Sequence, residues 1–135
     1  MSYIRYKNNN LFVENVSVRR LASKFGSPFY LYSEGNIIEN YKSFLNNFKK
    51  SNPLICFSVK ANSNIQILKI LKKMGSGADV VSGGELLKAI KSGIKPNKIV
   101  FSGVGKTEDE IKLAIRKKIL LINVESENEA ILVNK

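Results

Sequence analysis

The stretch ICFSVKANSN, residues 55–64, carries a single charge, Lys60, and no other charged residue lies between Ser51 and Leu68. Its first five residues are apolar or small and rich in strand formers, the composition of a short buried strand. Side chains alternate along a strand, so one face receives Ile55, Phe57 and Val59 and the other Cys56, Ser58 and Lys60. The bulky face is expected to pack on helices. The face of small groups then holds Lys60 at the C-terminal end of the strand.

Outward from this stretch a unit repeats. Four capping-box patterns, Ser or Thr followed three residues later by Glu or Gln, fall at Ser63–Gln66, Ser82–Glu85, Thr107–Glu110 and Ser126–Glu129. Each predicts a helix start. Each also follows a short apolar run: LICFSV (54–59), ADVV (78–81), KIVFS (98–102) and ILLINV (119–124). Helical spacing appears after the caps, as in Ile67, Leu68, Ile70 and Leu71, and Gly75 and Gly93 stand where helices end. An earlier helix is predicted over 37–48, behind a predicted strand PFYLYS (28–33). The first 27 residues read as a small strand and a short helix around 18–25.

Strand and helix alternating in this way imply a parallel sheet with right-handed crossovers. A doubly wound nucleotide binder would show a glycine-rich turn after its first strand, and GxGxxG is missing from the chain. The expected fold is therefore α/β, a partial (β/α)8 TIM-type barrel of the first four to five βα units, not closed. Residues 1–27 precede it and residues 28–135 form the N-terminal part of the barrel domain. In such a barrel the chemistry sits at the C-terminal ends of the strands. Lys60 belongs there, Asp79 lies on the next strand, and Ser102 and Asn123 lie near the ends of the two after that.

Composition narrows the function. With one cysteine, Cys56, no internal disulfide can form, with no histidine a zinc or His-based catalytic site is hard to build, and Cys56 inside a strand reads as core. No apolar run is long enough to span a bilayer, and the N-terminus lacks the apolar core of a secretory signal, so a cytoplasmic protein without a membrane partner is expected. The formal charge of +11 raises nucleic-acid binding, but the lysines are scattered in pairs late in predicted helices, where they favour the helix dipole. A solvated basic surface is the expectation, with no nucleic acid.

A rim lysine has two uses. It can form a salt bridge, or, if desolvated enough to be neutral, its amine can attack an aldehyde to give a Schiff base. An ordinary lysine amine is protonated at neutral pH, so nucleophilic use needs burial or a cationic neighbour. The apolar run around Lys60 offers the first.

The motifs GSPFYLYS (26–33), FSVKANSN (57–64), GSGADVVSGGEL (75–86), IVFSGVGKTEDEI (99–111) and INVESENE (122–129) resemble those of the fold-type III pyridoxal-phosphate-dependent decarboxylases. They follow that family's order and spacing from Leu11 onward. Lys60 with SGGEL and SGVGK is most similar to the branch that converts meso-diaminopimelate to L-lysine and CO2 in lysine biosynthesis. Alanine racemases usually follow the lysine with an aromatic-bearing turn, and ornithine-type decarboxylases typically lack SGGEL and FSGVGK.

The resemblance implies a pyridoxal 5′-phosphate cofactor bound covalently by Lys60, with Asp79 close to it. Ser58 either lines the pocket or is small only to leave room. Glu85 reads as a capping residue, and Gly83 and Gly84 as packing glycines rather than a phosphate cradle. The family's histidine, ring-nitrogen acid, phosphate loop, substrate arginines and partner-subunit cysteine lie further along its sequence. The resemblance thus implies the N-terminal part of a longer homodimeric enzyme acting on an amino acid, inactive as 135 residues alone. Decarboxylation of a related diamino acid, or non-catalytic cofactor binding, stays open.

Overall fold

The computed structural model describes residues 3–135, which divide into two compact units, one running up to Phe44 and the other Leu45–Lys135. In the first, strands β1 (Ile4–Lys7), β2 (Asn10–Val13) and β3 (Val16–Ser17) form an antiparallel sheet in that order. Lys7 pairs with Asn10 across a two-residue turn whose Asn8 and Asn9 have φ of 48° and 57°. Asparagine tolerates that left-handed backbone, so the NNN run makes a hairpin where only one strand was expected. Helix α1 (Val18–Phe25) lies where the sequence placed it. Ser17 caps it, accepting from the Arg20 N–H.

Helix α2 (Glu34–Asn47) starts three residues before its expected position. The hydroxyl of Ser33 accepts from the Asn36 N–H at 3.0 Å and donates to Glu14 Oε1 at 2.6 Å, and that same oxygen accepts from the Gly35 N–H at 2.8 Å. The predicted strand 28–33 is not a strand: it joins no ladder among the described residues, and Tyr30 and Tyr32 are exposed. Strand-forming side chains do not suffice where no neighbouring strand takes up the backbone groups.

The second unit contains the repeat. Strands β4 (Cys56–Ser58), β5 (Gly77–Val80), β6 (Ile99–Phe101) and β7 (Leu121–Ile122) are parallel and adjacent in sequence order. They alternate with helices α3 (Ile65–Lys73), α4 (Gly83–Lys91), α5 (Glu108–Lys117) and α6 (Glu127–Asn134). This is the expected open α/β sheet, with four βα units because the strand at 28–33 is missing.

One face of the sheet carries Phe57, Ala78, Val80, Ile99, Phe101 and Ile122, which pack with Leu68, Leu86, Ala89 and Ala114 of the helices. Phe101, Leu68, Leu86 and Ile99 are completely buried, each stabilising the unit by about 1.5–3 kcal/mol. Gly75 and Gly93, at φ of 92° and 93°, follow the last residues of α3 and α4, as the sequence suggested. Lys118 takes the left-handed end of α5 at φ 54° without a glycine.

Candidate active site

The other face of the sheet presents what bulk cannot occupy. The register sets Cys56 opposite Gly77 and Ser58 opposite Asp79, and Asp79 stands opposite Val100 on the far side. A Cβ on Gly77 would run into the Lys98 carbonyl and stand 2.7 Å from Cys56 Sγ, so only glycine fits. Burial raises the pKa of the Cys56 thiol, the charge of Asp79 raises it further and Lys98 opposes both. The net direction keeps it a thiol, half-buried and 3.8 Å from the Lys98 carbonyl oxygen.

Ser58 Oγ and Asp79 Oδ1 are both buried, and neither has a hydrogen-bond partner among the described residues. A polar atom buried in this way costs about 1–3 kcal/mol unless something else satisfies it. The pair is a hydroxyl and a carboxylate oxygen on neighbouring strands of one face. It is suited to a small polar molecule that offers both an acceptor and a donor.

Lys60 follows directly. It is not on the strand, as expected, but in the middle of a 3-10 turn over Val59–Ala61 that leaves the end of β4. Val59 is fully buried in the helix-packed core, and the turn carries the next residue off that face. The expected burial of Lys60 is not met: the residue is exposed. Its amine has no hydrogen bond or ion pair with the described residues. The structure thus brings Ser58 and Asp79 side by side and leaves Lys60, two residues after Ser58, with an uncommitted nitrogen.

The helix starts around the rim are closed by side chains. Asn64, not the expected Ser63, caps α3 by accepting from the Gln66 N–H at 2.9 Å. Ser82 caps α4, and Glu85 accepts from the Val81 N–H at 2.9 Å, a structural use as anticipated. The Gly83 N–H donates to Glu110 Oε1 at 2.7 Å, and a Cβ on Gly83 would press on that glutamate at 3.2 Å. Gly83 is thereby a packing glycine whose amide is already used. At Gly84 a Cβ would meet only Ser82 Oγ, at 3.9 Å, so packing does not require glycine there. Thr107 and Glu110 form the one reciprocal capping box among the described residues, at the start of α5.

Ser102 and Asn123, expected near strand ends, are joined here in a network with Lys106 and Glu129 that the sequence did not reveal. Asn123 Nδ2 donates to Ser102 Oγ at 3.0 Å, and Lys106 Nζ donates to the Asn123 carbonyl at 2.6 Å and to Glu129 Oε1 at 3.2 Å. Composition and spacing give Lys106, in the GVGK loop, no partner. Its partner is 23 residues further on, beyond the reach of any local pattern.

An open α/β sheet with an uncommitted lysine and two unbonded buried oxygens at its strand ends is the frame of a cofactor-binding domain. Residues 34–135 match the family described as pyridoxal-dependent decarboxylase, pyridoxal binding domain, and the chain belongs to that family. It is 46% identical to the diaminopimelate decarboxylase of Aquifex aeolicus over 133 residues, 98% of this chain and 31% of that protein. The diaminopimelate decarboxylase of M. jannaschii, solved in co-complex with L-lysine, superposes with a TM-score of 0.94 at 39% identity. That match covers 97% of this chain and 32% of the other. The lysine decarboxylase of Selenomonas ruminantium, at 23% identity and a TM-score of 0.78, shares the fold. The chain spans about a third of the length of these proteins. No described helix is long and apolar enough to cross a membrane.

Proposed function

We propose that this chain supplies the cofactor lysine of an enzyme that decarboxylates meso-diaminopimelate to L-lysine and CO2. Residues 28–135 would be the N-terminal part of its cofactor-binding barrel, and 1–27 the segment leading into it. The observation that carries the reading is the uncommitted amine of Lys60, in the turn that leaves β4, together with two buried oxygens on β4 and β5, Ser58 Oγ and Asp79 Oδ1, that no described residue satisfies. The stronger likeness to diaminopimelate decarboxylases than to a lysine decarboxylase favours the substrate.

Each residue has a task that its chemistry allows. Lys60 anchors pyridoxal 5′-phosphate through its nitrogen, Ser58 donates to an acceptor atom of the cofactor, and the carboxylate of Asp79 accepts from a donor. When bound, the cofactor supplies an electron sink for the pair left on carbon as carbon dioxide departs. Ser58 and Asp79 orient it from rigid strands, which hold geometry better than loops do. An exposed ammonium gains nothing from desolvation, so shielding of Lys60 would come with the molecule seated on these two residues. The active protein is proposed to be a cytoplasmic homodimer, its basic surface solvated rather than bound to nucleic acid.

The test uses the cofactor-loaded enzyme that carries this sequence, given meso-diaminopimelate, L-ornithine, L-lysine or L-arginine in turn. A change in the cofactor's visible absorption and CO2 release are expected with meso-diaminopimelate. Response to another of these amino acids instead would move the substrate assignment, and a visible band without CO2 from any of them would leave a binding protein.

A further inference from the structure

Lys106 is the most deeply buried amine with described partners, its side chain 1% exposed although it sits in the loop between β6 and α5. Around its nitrogen meet the Phe101 ring, with its centroid at 5.6 Å, the Asn123 carbonyl and Glu129 of α6. Glu129 is held in turn: its Oε2 accepts from the Glu125 N–H at 2.7 Å, and its N–H donates to Ser126 Oγ at 3.2 Å. A buried ammonium needs such a carboxylate and carbonyl, and the set is fixed in one arrangement.

What this set fixes is Asn123. The Asn123 N–H continues the β6–β7 ladder to the Phe101 carbonyl at 2.9 Å, Lys106 holds its carbonyl, and its amide then has Ser102 in reach. The register places Val100 opposite Asp79, so Ser102, two residues on, lies on the face of Ser58 and Asp79, one step nearer the rim. Because Ser102 Oγ already accepts from Asn123 Nδ2, its own O–H remains a donor for a third group.

We propose that Ser102 is a binding residue of the same site, donating to an acceptor oxygen of the bound cofactor. Asn123 and Lys106 are positioning residues that set the direction of that hydroxyl. Lys106 acts only through Asn123. The proposal rests on the cofactor reading above and extends the site from β4 and β5 to β6 and β7.

The test measures the Kd for pyridoxal 5′-phosphate by absorbance, and the melting temperature, for the full chain and three variants. Ser102→Ala is expected to weaken binding about tenfold, the size of one hydrogen bond to a charged group, at unchanged melting temperature. The pair Lys106→Met with Glu129→Gln removes both charges without leaving one alone in the interior, and is expected to weaken binding to a similar degree. A native Kd in Ser102→Ala overturns the proposal, whether or not the double variant folds. A native Kd in a folded double variant overturns the positioning role. Lys60→Ala separates the two readings: if it retains the visible band, the cofactor assignment itself fails, whereas its loss beside a native Ser102→Ala sinks only the extension.

Discussion

Ser58 and Asp79 stand opposite each other in the parallel ladder of β4 and β5, and each buries a side-chain oxygen that bonds to nothing described. They are adjacent without satisfying one another. Two neighbouring strands thus hold unmet hydrogen-bonding capacity on the face turned away from the helices, at the end where Lys60 emerges. The packing of Val59 and Val80 on the opposite face fixes both strands, so this pair cannot relax by rotating into the core.

The pair predicts a separation of stability from binding. Ser58→Ala removes an unbonded buried hydroxyl, and the cofactor-free chain is expected to be as stable as the parent or more stable by up to about 1 kcal/mol. Affinity for pyridoxal 5′-phosphate should fall about three- to tenfold. Thermal melts with and without cofactor check both. A cofactor-free loss well beyond 1 kcal/mol would show that the hydroxyl serves the fold.

Acid should loosen the second unit through two glutamates. The pKa of Glu110 is lowered by the N–H groups of Gly83 and Thr107, and that of Glu129 by the Glu125 N–H and then by Lys106. A carboxyl with a lowered folded pKa stabilises fully above the ordinary value of 4.5 and loses that contribution as pH falls through the folded value. Melting temperature is expected to hold near neutrality and drop below about pH 4.5, with a shallower drop in Glu110→Gln. Equal slopes in parent and variant would remove Glu110 from the account; Glu14, lowered by Ser33 and Gly35, and Glu108, lowered by Lys112, add to the slope of parent and variant alike.

Glycines sort by what surrounds them. Gly77→Ala drives a methyl into the Lys98 carbonyl and Cys56, and a loss of about 1–3 kcal/mol or more is expected from overpacking. Gly84→Ala, in the first turn of α4 with open space around it, should stabilise by about 0.5–1 kcal/mol. Urea unfolding of the two variants measures the contrast. A destabilised Gly84→Ala would mean that its backbone is needed for something other than the helix.

What was legible in the sequence was whatever has a short period. Alternation in ICFSVK put Ser58 with Cys56 on the face away from the core, and the caps at Ser82, Thr107 and Ser126 each start a helix. Asn64 displaced Ser63 because both can cap and only the backbone path chooses between them. The strand at 28–33 failed for lack of a partner, and the exposure of Lys60 follows from a 3-10 turn that nothing in VKAN announces. Lys106 shows the other limit. Its burial depends on Asn123 and Glu129, 17 and 23 residues away, which only the βα repeat brings together.

The central claim is that Lys60, alone among many exposed lysines, bonds to the cofactor. Incubating the chain with pyridoxal 5′-phosphate, reducing with borohydride and mapping the peptides by mass spectrometry tests it directly. The account predicts the pyridoxyl mass on the peptide containing Lys60, and its disappearance in Lys60→Ala with little change in melting temperature, as befits an exposed, unpaired side chain. Label spread over the surface lysines with no preference for Lys60 would contradict it.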